Sequence, residues 1–171
     1  MQLPIFRSMN NAFLLIGGNM GNVSQNLDKA IRSISQTCGK IIMVSSVYQT
    51  AAWGKTDQPD FLNQAIHINT PLEPVELLHQ LLQIERDMGR ERIEKYGPRV
   101  IDIDIIFYEQ CILDLRELTI PHPQVANRRF ALAPLAEIAP NYTHPILEKT
   151  IQELLTNCPD SSHVDKKNKK V

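Results

Sequence analysis

The chain has no excess of basic residues. Lys and Arg number 18 against 19 Asp and Glu, a formal net charge of −1, which argues against a general nucleic-acid binder. No apolar run approaches the ~18 residues of a membrane span, which argues against an integral membrane protein. Only three cysteines occur, Cys38, Cys111 and Cys158. Their odd number and wide spacing, without any C-x-x-C, leave no disulfide framework or zinc knuckle, and a reducing cytoplasm is the expected setting. Residues 1–11 contain no long apolar core or clear cleavage site, so they do not read as a secretory signal. The glycines of Gly17-Gly18-Asn19-Met20-Gly21-Asn22 lack the Lys-Ser/Thr of a P-loop and are out of register for G-x-G-x-x-G. They read as a strand-to-helix turn.

What is present is an ordinary globular composition, 43% apolar and 22% charged over 171 residues. That is enough for one domain with a real core. No repeat or internal linker divides it, and residues 1–160 are expected to form the single domain. Residues 161–171 carry four Lys against one Asp, have no apolar periodicity and read as a flexible, solvated tail. The remaining body then carries about −4.

Periodicity gives the element order. Residues 12–16 are a compact apolar run and a first strand. Leu27, Ala30, Ile31 and Ile34 mark an amphipathic helix, with Asn22 as N-cap and Gly39 as its stop. Residues 40–48 and 61–69 read as the next two strands. Pro74 opens a helix with the seam Leu77, Leu81, Ile84 and Met88, ended by Gly89. Residues 99–107 alternate as a fourth strand. A short strand near 111–114, an extended stretch at 118–123 and helices near 131–138 and 148–157 follow. The order β-α-β-β-α-β gives an α+β, ferredoxin-like antiparallel sheet with helices on one face, the other face open for a site, and C-terminal additions.

The chemistry concentrates in Arg99-Val100-Ile101-Asp102-Ile103-Asp104-Ile105-Ile106. Alternation puts the isoleucines at 101, 103 and 105 on one side and both carboxylates on the other, their Cα atoms about 6.5–7 Å apart. Such a pair can ligate divalent ions, and oxygen donors without Cys favour Mg²⁺. Polar residues on a wet sheet face would give the same alternation without a metal. Arg90, Arg92, Arg99, Arg128 and Arg129, with His122, lie near enough in the chain to add phosphate-binding forks. Each arginine alone would be a solvated surface charge. Together with the carboxylates they suit a polyphosphate. Phe61 and Asn63 share one strand face, and Phe130 and Tyr96 are further aromatics, a set suited to a flat heterocycle with donors and acceptors on its edge.

The segment 95–106 resembles the signature of 6-hydroxymethyl-7,8-dihydropterin pyrophosphokinases. So, in the expected order, do Ile16-Gly17-Gly18-Asn19, the segment 57–63, Ile84-Glu85-Arg86-Asp87-Met88-Gly89-Arg90, Leu118-Thr119-Ile120-Pro121-His122-Pro123, Arg128-Arg129-Phe130 and the segment 134–140. The likeness covers about residues 12–145. Gly18 stands where that family usually has Ser, Tyr96 where many members have Trp, and Ala51-Ala52-Trp53 replaces a proline-containing segment.

The resemblance implies a ferredoxin-like fold and transfer of pyrophosphate from ATP to the pterin hydroxymethyl group, with AMP released. It implies that Asp102 and Asp104 hold two Mg²⁺ ions and that Arg90 and Arg99 act with them as catalytic residues. Glu85, Arg90, Arg92, Arg99, Ile105, His122 and Arg128 would contact ATP. Thr50, Ala51, Phe61, Asn63 and Phe130 would hold the pterin. It implies a monomer and closure of loops 50–60 and 89–98 over the substrates. A single-strand RNA reader on the same fold would need a basic face and aromatics on central strands, which the body charge and the isoleucine-rich fourth strand oppose. A nucleotide-dependent transferase with another acceptor is the remaining alternative, from which the Phe61, Asn63 and Phe130 set distinguishes a pterin enzyme.

Overall fold

The first strand, β1 (Asn10–Gly18), is apolar on both sides and lies at the centre of the sheet. Ala12, Leu14 and Ile16 enter one core, Phe13 and Leu15 another. The structure, a computed structural model, describes residues 7–52, 56–90 and 97–168. In it β1 runs antiparallel to β4 (Phe61–Thr70) on one side and to β5 (Asp102–Tyr108) on the other. β2 (Lys40–Val44) and β3 (Val47–Thr50) both pair with β4, one after the other. The order β5-β1-β4-β2/β3 is the ferredoxin-like arrangement that the element order implied.

Helices α1 (Val23–Thr37) and α2 (Pro74–Asp87) cover the first face. Leu27, Ala30 and Ile34 of α1 and Leu77, Leu81 and Ile84 of α2 meet Ile66, Ile68, Ile103 and Ile105 of the sheet. Full burial of each large aliphatic side chain contributes about 1.5–3 kcal/mol. The Asn22 side chain accepts from the Gln25 amide at 3.2 Å, the cap expected of it. At α2 the Glu76 carboxylate takes the Glu73 amide at 2.9 Å, and Gly89, at φ +83°, ends the helix in the left-handed region.

The second face is not open along its length. After β6 (Leu113–Asp114) and β7 (Thr119–Ile120), the chain forms α3 (Arg129–Ile138) and α4 (Ile151–Thr156). Their Leu132, Leu135, Ile151 and Leu154 pack on Phe13, Leu15, Ala65, Ile106 and Phe107. The added elements have apolar residues of their own, and they bury them against that face. The polar end of the face, where Gly17, Asp102 and Asn63 stand, is left to the site.

Three further expectations are corrected. The strand expected at 40–48 is broken at Ser45, whose hydroxyl accepts from the Ala65 amide at 2.9 Å in place of regular pairing. The alternation of the fourth strand fails at its end. Leu14 lies opposite Ile105 and Phe13 opposite Phe107, so Ile106 is an extra residue. Ile106 and Phe107 thus both enter the second core, and Tyr108 returns to the first.

The lysine-rich tail expected to be flexible carries β8 (Val164–Lys167), antiparallel to β3. An edge strand is held by backbone hydrogen bonds and leaves its charged side chains in water, so composition gave no sign of it. The sheet therefore extends past the domain limit drawn at residue 160.

Candidate active site

Strand register sets the site. Asp102 of β5 lies opposite Gly17 of β1, Gly17 opposite Asn63 of β4, and Asn63 opposite Tyr48 of β3. Directly opposed residues share a face, so one row crosses the sheet with a carboxylate at one end and an amide further along. Backbones two strands apart are separated by about 10 Å. Gly17 leaves that space free and lets the Asn63 side chain lean across it. A Cβ built on Gly17 would stand 2.1 Å from Asn63 Oδ1. Gly18 is similarly closed in, since its Cβ would meet the Val100 carbonyl at 2.5 Å. The glycine found there in place of the family's usual serine goes with this close approach of residues 99–100.

On the β5 side two arginines converge on one carboxylate. Arg90 Nη1 donates to Asp102 Oδ1 at 2.7 Å, and Arg99 Nη1 donates to Asp102 Oδ2. Arg90 also pairs with Glu85 at 2.5 Å. Glu85, only 3% exposed, accepts the Ile103 amide at 2.7 Å with its other oxygen. The Ile103 N–H lies on the edge of β5 away from β1, which is its one strand partner among the described residues. Glu85 thus satisfies a strand edge and anchors Arg90. Burial pushes the Glu85 carboxyl up, while the Ile103 amide and Arg90 favour its ionised form. Burial works against the Arg90 charge, but Asp102 and Glu85 outweigh it and hold the guanidinium more firmly protonated than usual.

Asp104 lies two residues along on the same face, its carboxyl pushed up to about 7 by burial and then by the charges of Asp102 and Glu85. Arg99 and Arg128 offset this only in part. A carboxylate crowded in this way fits a divalent cation, which would supply the missing positive charge. Among the described residues no group of three or more His, Cys, Asp or Glu could hold a metal ion alone. Two carboxylates could hold such a cation only with further oxygen donors from outside the chain.

His122 follows the cis Ile120–Pro121 bond. Its amide donates to the Ile106 carbonyl at 2.9 Å, and its Nδ1 accepts from the Gln124 amide at 3.2 Å. Burial, then the nearby Arg128 charge, push its pKa down to about 4, against an opposing pull from Asp102. It is a neutral imidazole at pH 7. The Arg128 guanidinium lies 5.8 Å from the centre of the Phe130 ring.

The expected residues thus fall into two groups at one end of the sheet. Glu85, Arg90, Arg99, Asp102, Asp104, His122 and Arg128 gather around the end of β5. Thr50, Phe61 and Asn63 stand across Gly17, with Thr50 opposite Phe61 in the sheet. Ala51 follows Thr50 and is exposed, and half-buried Phe130 begins α3. Ile105, expected to contact ATP, turns its side chain away from the carboxylates, as the alternation of the strand predicts. Its side chain is 4% exposed and lies in the first core, on the other face from the carboxylates. Arg92 and Tyr96, and the parts of the two loops at 53–55 and 91–96, lie outside the described residues.

Asn19, 4% exposed, donates from Nδ2 to Gln58 Oε1 at 3.0 Å and to the Pro59 carbonyl at 2.9 Å. Its Oδ1 accepts the Arg99 amide at 2.8 Å. It ties the segment before β4 to the arginine beside Asp102. Its place after paired glycines was visible in the sequence, but its partners, 39 to 80 residues away, were not.

The chain is similar to known proteins in sequence and in fold. The sequence profile of the family described as 7,8-dihydro-6-hydroxymethylpterin-pyrophosphokinase (HPPK) matches residues 13–140. A 2-amino-4-hydroxy-6-hydroxymethyldihydropteridine pyrophosphokinase of Synechocystis is 45% identical over 141 residues, 82% of this chain and 72% of the relative. One of Methylorubrum extorquens is 41% identical over 154 residues, 90% of this chain and 96% of the relative. The crystal structure of wild-type Plasmodium falciparum HPPK-DHPS with pteroate superposes with a TM-score of 0.74 at 19% identity. It shares the fold over 87% of this chain, which spans 44% of that longer one.

Proposed function

The chain belongs to the 7,8-dihydro-6-hydroxymethylpterin-pyrophosphokinase family, and on that basis we propose that it transfers the pyrophosphoryl group of ATP to the hydroxymethyl oxygen of 6-hydroxymethyl-7,8-dihydropterin. AMP is the other product, and the reaction is a step of folate biosynthesis. The observation that carries this reading is the row Asp102–Gly17–Asn63, which sets a phosphate-handling end and a heterocycle-reading end on one face with a glycine gap between them.

Asn63 reads the polar edge of the pterin, Thr50 and Ala51 offer backbone groups to it, and Phe61 and Phe130 hold its ring. The pterin oxygen is then directed across Gly17 toward the β-phosphorus, in line with the departing AMP oxygen. Positioning supplies much of the rate where an alcohol and a phosphate are held in line. Arg90 and Arg99, which pair with Asp102 in the free chain, turn toward the triphosphate when it binds. Arg128 and, from the segment outside the described residues, Arg92 add to the same charge. Neutral His122 contacts the nucleotide as a hydrogen-bonding group. Asp102 and Asp104 would hold divalent ions, which we take to be two Mg²⁺. When bound, they would neutralise phosphate oxygens and draw charge from the β-phosphorus. Asp102 or Asp104 takes up the alcohol proton. Free Cys38, Cys111 and Cys158 accord with the proposal that the enzyme works in the cytoplasm, and we propose a monomer.

The test is nucleotide analysis. Protein, Mg²⁺, ATP and the reduced pterin alcohol should give AMP in proportion to the pterin supplied. ADP as product, or AMP independent of the pterin, would overturn the assignment.

A further inference from the structure

The C-terminal segment has no part in the reading above, yet it touches both walls of the pocket assigned to the pterin. On one wall, β8 pairs with β3 along its whole length. Thr50 lies opposite Val164, Gln49 opposite Asp165, Tyr48 opposite Lys166 and Val47 opposite Lys167. On its other side β3 meets β4 at only three positions, Tyr48, Gln49 and Thr50. Without β8, this four-residue strand carrying Thr50 would be a sheet edge, separated from β2 by the break at Ser45.

On the other wall stands the start of α3, with Arg128, Arg129 and Phe130. The α3 N-terminus has no side-chain cap from its own N-cap residue. Asp160 supplies the missing acceptor from 31 residues away, its Oδ2 taking the Arg129 amide at 3.0 Å. Its Oδ1 accepts the Ser162 amide at 2.9 Å and the Ser162 hydroxyl, which fixes the turn leading into β8. Between the walls, Glu137 of α3 accepts the Tyr48 hydroxyl at 2.6 Å and the Ser46 amide at 3.0 Å, and Lys166 of β8 lies 3.6 Å from the same carboxylate. Neither apolar core includes any residue from 160 to 167. The segment therefore adds little to the core, and its contacts act locally.

We propose that residues 160–167 form a strap that positions β3 against the start of α3 and so sets the width of the pterin pocket. Asp160 and β8 are positioning elements, since neither is placed against a substrate. The inference rests on the pterin reading above. It predicts a divided effect, with pterin affinity depending on the strap and ATP affinity independent of it.

The experiment uses three variants beside the full chain, each first checked for folding by circular dichroism. A chain ending at residue 163 removes β8 and keeps Asp160. Asp160→Ala removes the remote cap and keeps β8, while Asp160→Asn retains one acceptor oxygen. Steady-state turnover is measured against the pterin alcohol and, separately, binding of a non-hydrolysable ATP analogue with Mg²⁺. The shortened chain and Asp160→Ala should each raise the KM for the pterin at least fivefold. Asp160→Asn should restore part of that loss, and ATP-analogue affinity should stay within twofold throughout. A pterin KM within twofold of the full chain in both the shortened chain and Asp160→Ala would overturn the strap. So would equal losses for pterin and ATP, which mark a general structural role. Failure of the full chain itself to form AMP with the pterin would overturn the functional reading instead.

Discussion

At the scale of single residues the site depends on an absence of side chain as much as on its charges. Gly17 lies between the phosphate-handling and heterocycle-reading groups, and its missing Cβ is the space that Asn63 occupies. Gly17→Ala forces Asn63 Oδ1 away from a contact of 2.1 Å, and the alternative rotamers are limited because Asn63 is 6% exposed. The expected outcome is a loss of pterin affinity of about tenfold or more, the cost of misplacing one or two hydrogen bonds, with ATP-analogue affinity retained. Calorimetric titration of each ligand separates the two. An unchanged pterin affinity would show that Asn63 is not the group that reads it. In the sequence Gly17 had the look of a turn residue. Its role became visible only with the register that sets it opposite both Asp102 and Asn63, since pairing across strands is not written in local spacing.

At the scale of elements, α2 and β5 are joined by a side chain that bonds both backbone and charge. Glu85 satisfies the Ile103 amide at the strand edge and holds Arg90. Glu85→Ala leaves a buried amide without a partner and removes one of the two anions facing Arg90, while Asp102 still pairs with it, a loss of about 1–3 kcal/mol of stability. Glu85→Gln keeps an acceptor for Ile103 and should lose less. Urea unfolding measures both, and equal losses would mean that the amide contact contributes nothing. The sequence showed the helix seam, Pro74 and Gly89, because caps and periodicity are local signals. Asp102 and Asp104 were legible for the same reason, as alternate residues of one strand. The extra residue at Ile106, the break at Ser45 and the strand at Val164–Lys167 were not, because each exists only through pairing with a distant partner.

At the scale of the whole molecule the near-zero net charge conceals ionisable groups that oppose one another in acid. His122 has its pKa pushed down from 6.5 to about 4 by burial and Arg128. Below pH 6.5 the unfolded chain binds this proton while the folded chain does not, so the folded state loses stability as pH falls toward 4. Asp104 has the opposite sign. Its carboxyl is raised from 3.8 to about 7, so the folded chain holds a proton that the unfolded chain has released, and stability is lost as pH rises through 7. The two slopes largely offset each other between pH 4 and 7, which leaves the intact protein with a flatter profile than either group alone would give. Single substitutions separate them. Relative to the intact protein, His122→Gln should gain stability between pH 7.5 and 4.5, by up to roughly 3 kcal/mol. Asp104→Asn should shift the other way, becoming relatively more stable as the pH is raised from 5 to 8. Urea midpoints across this range, taken without metal or nucleotide, read both effects. A His122→Gln difference that is independent of pH would mean that the folded protein protonates this histidine as readily as the unfolded chain, and that His122 is not held neutral beside Arg128.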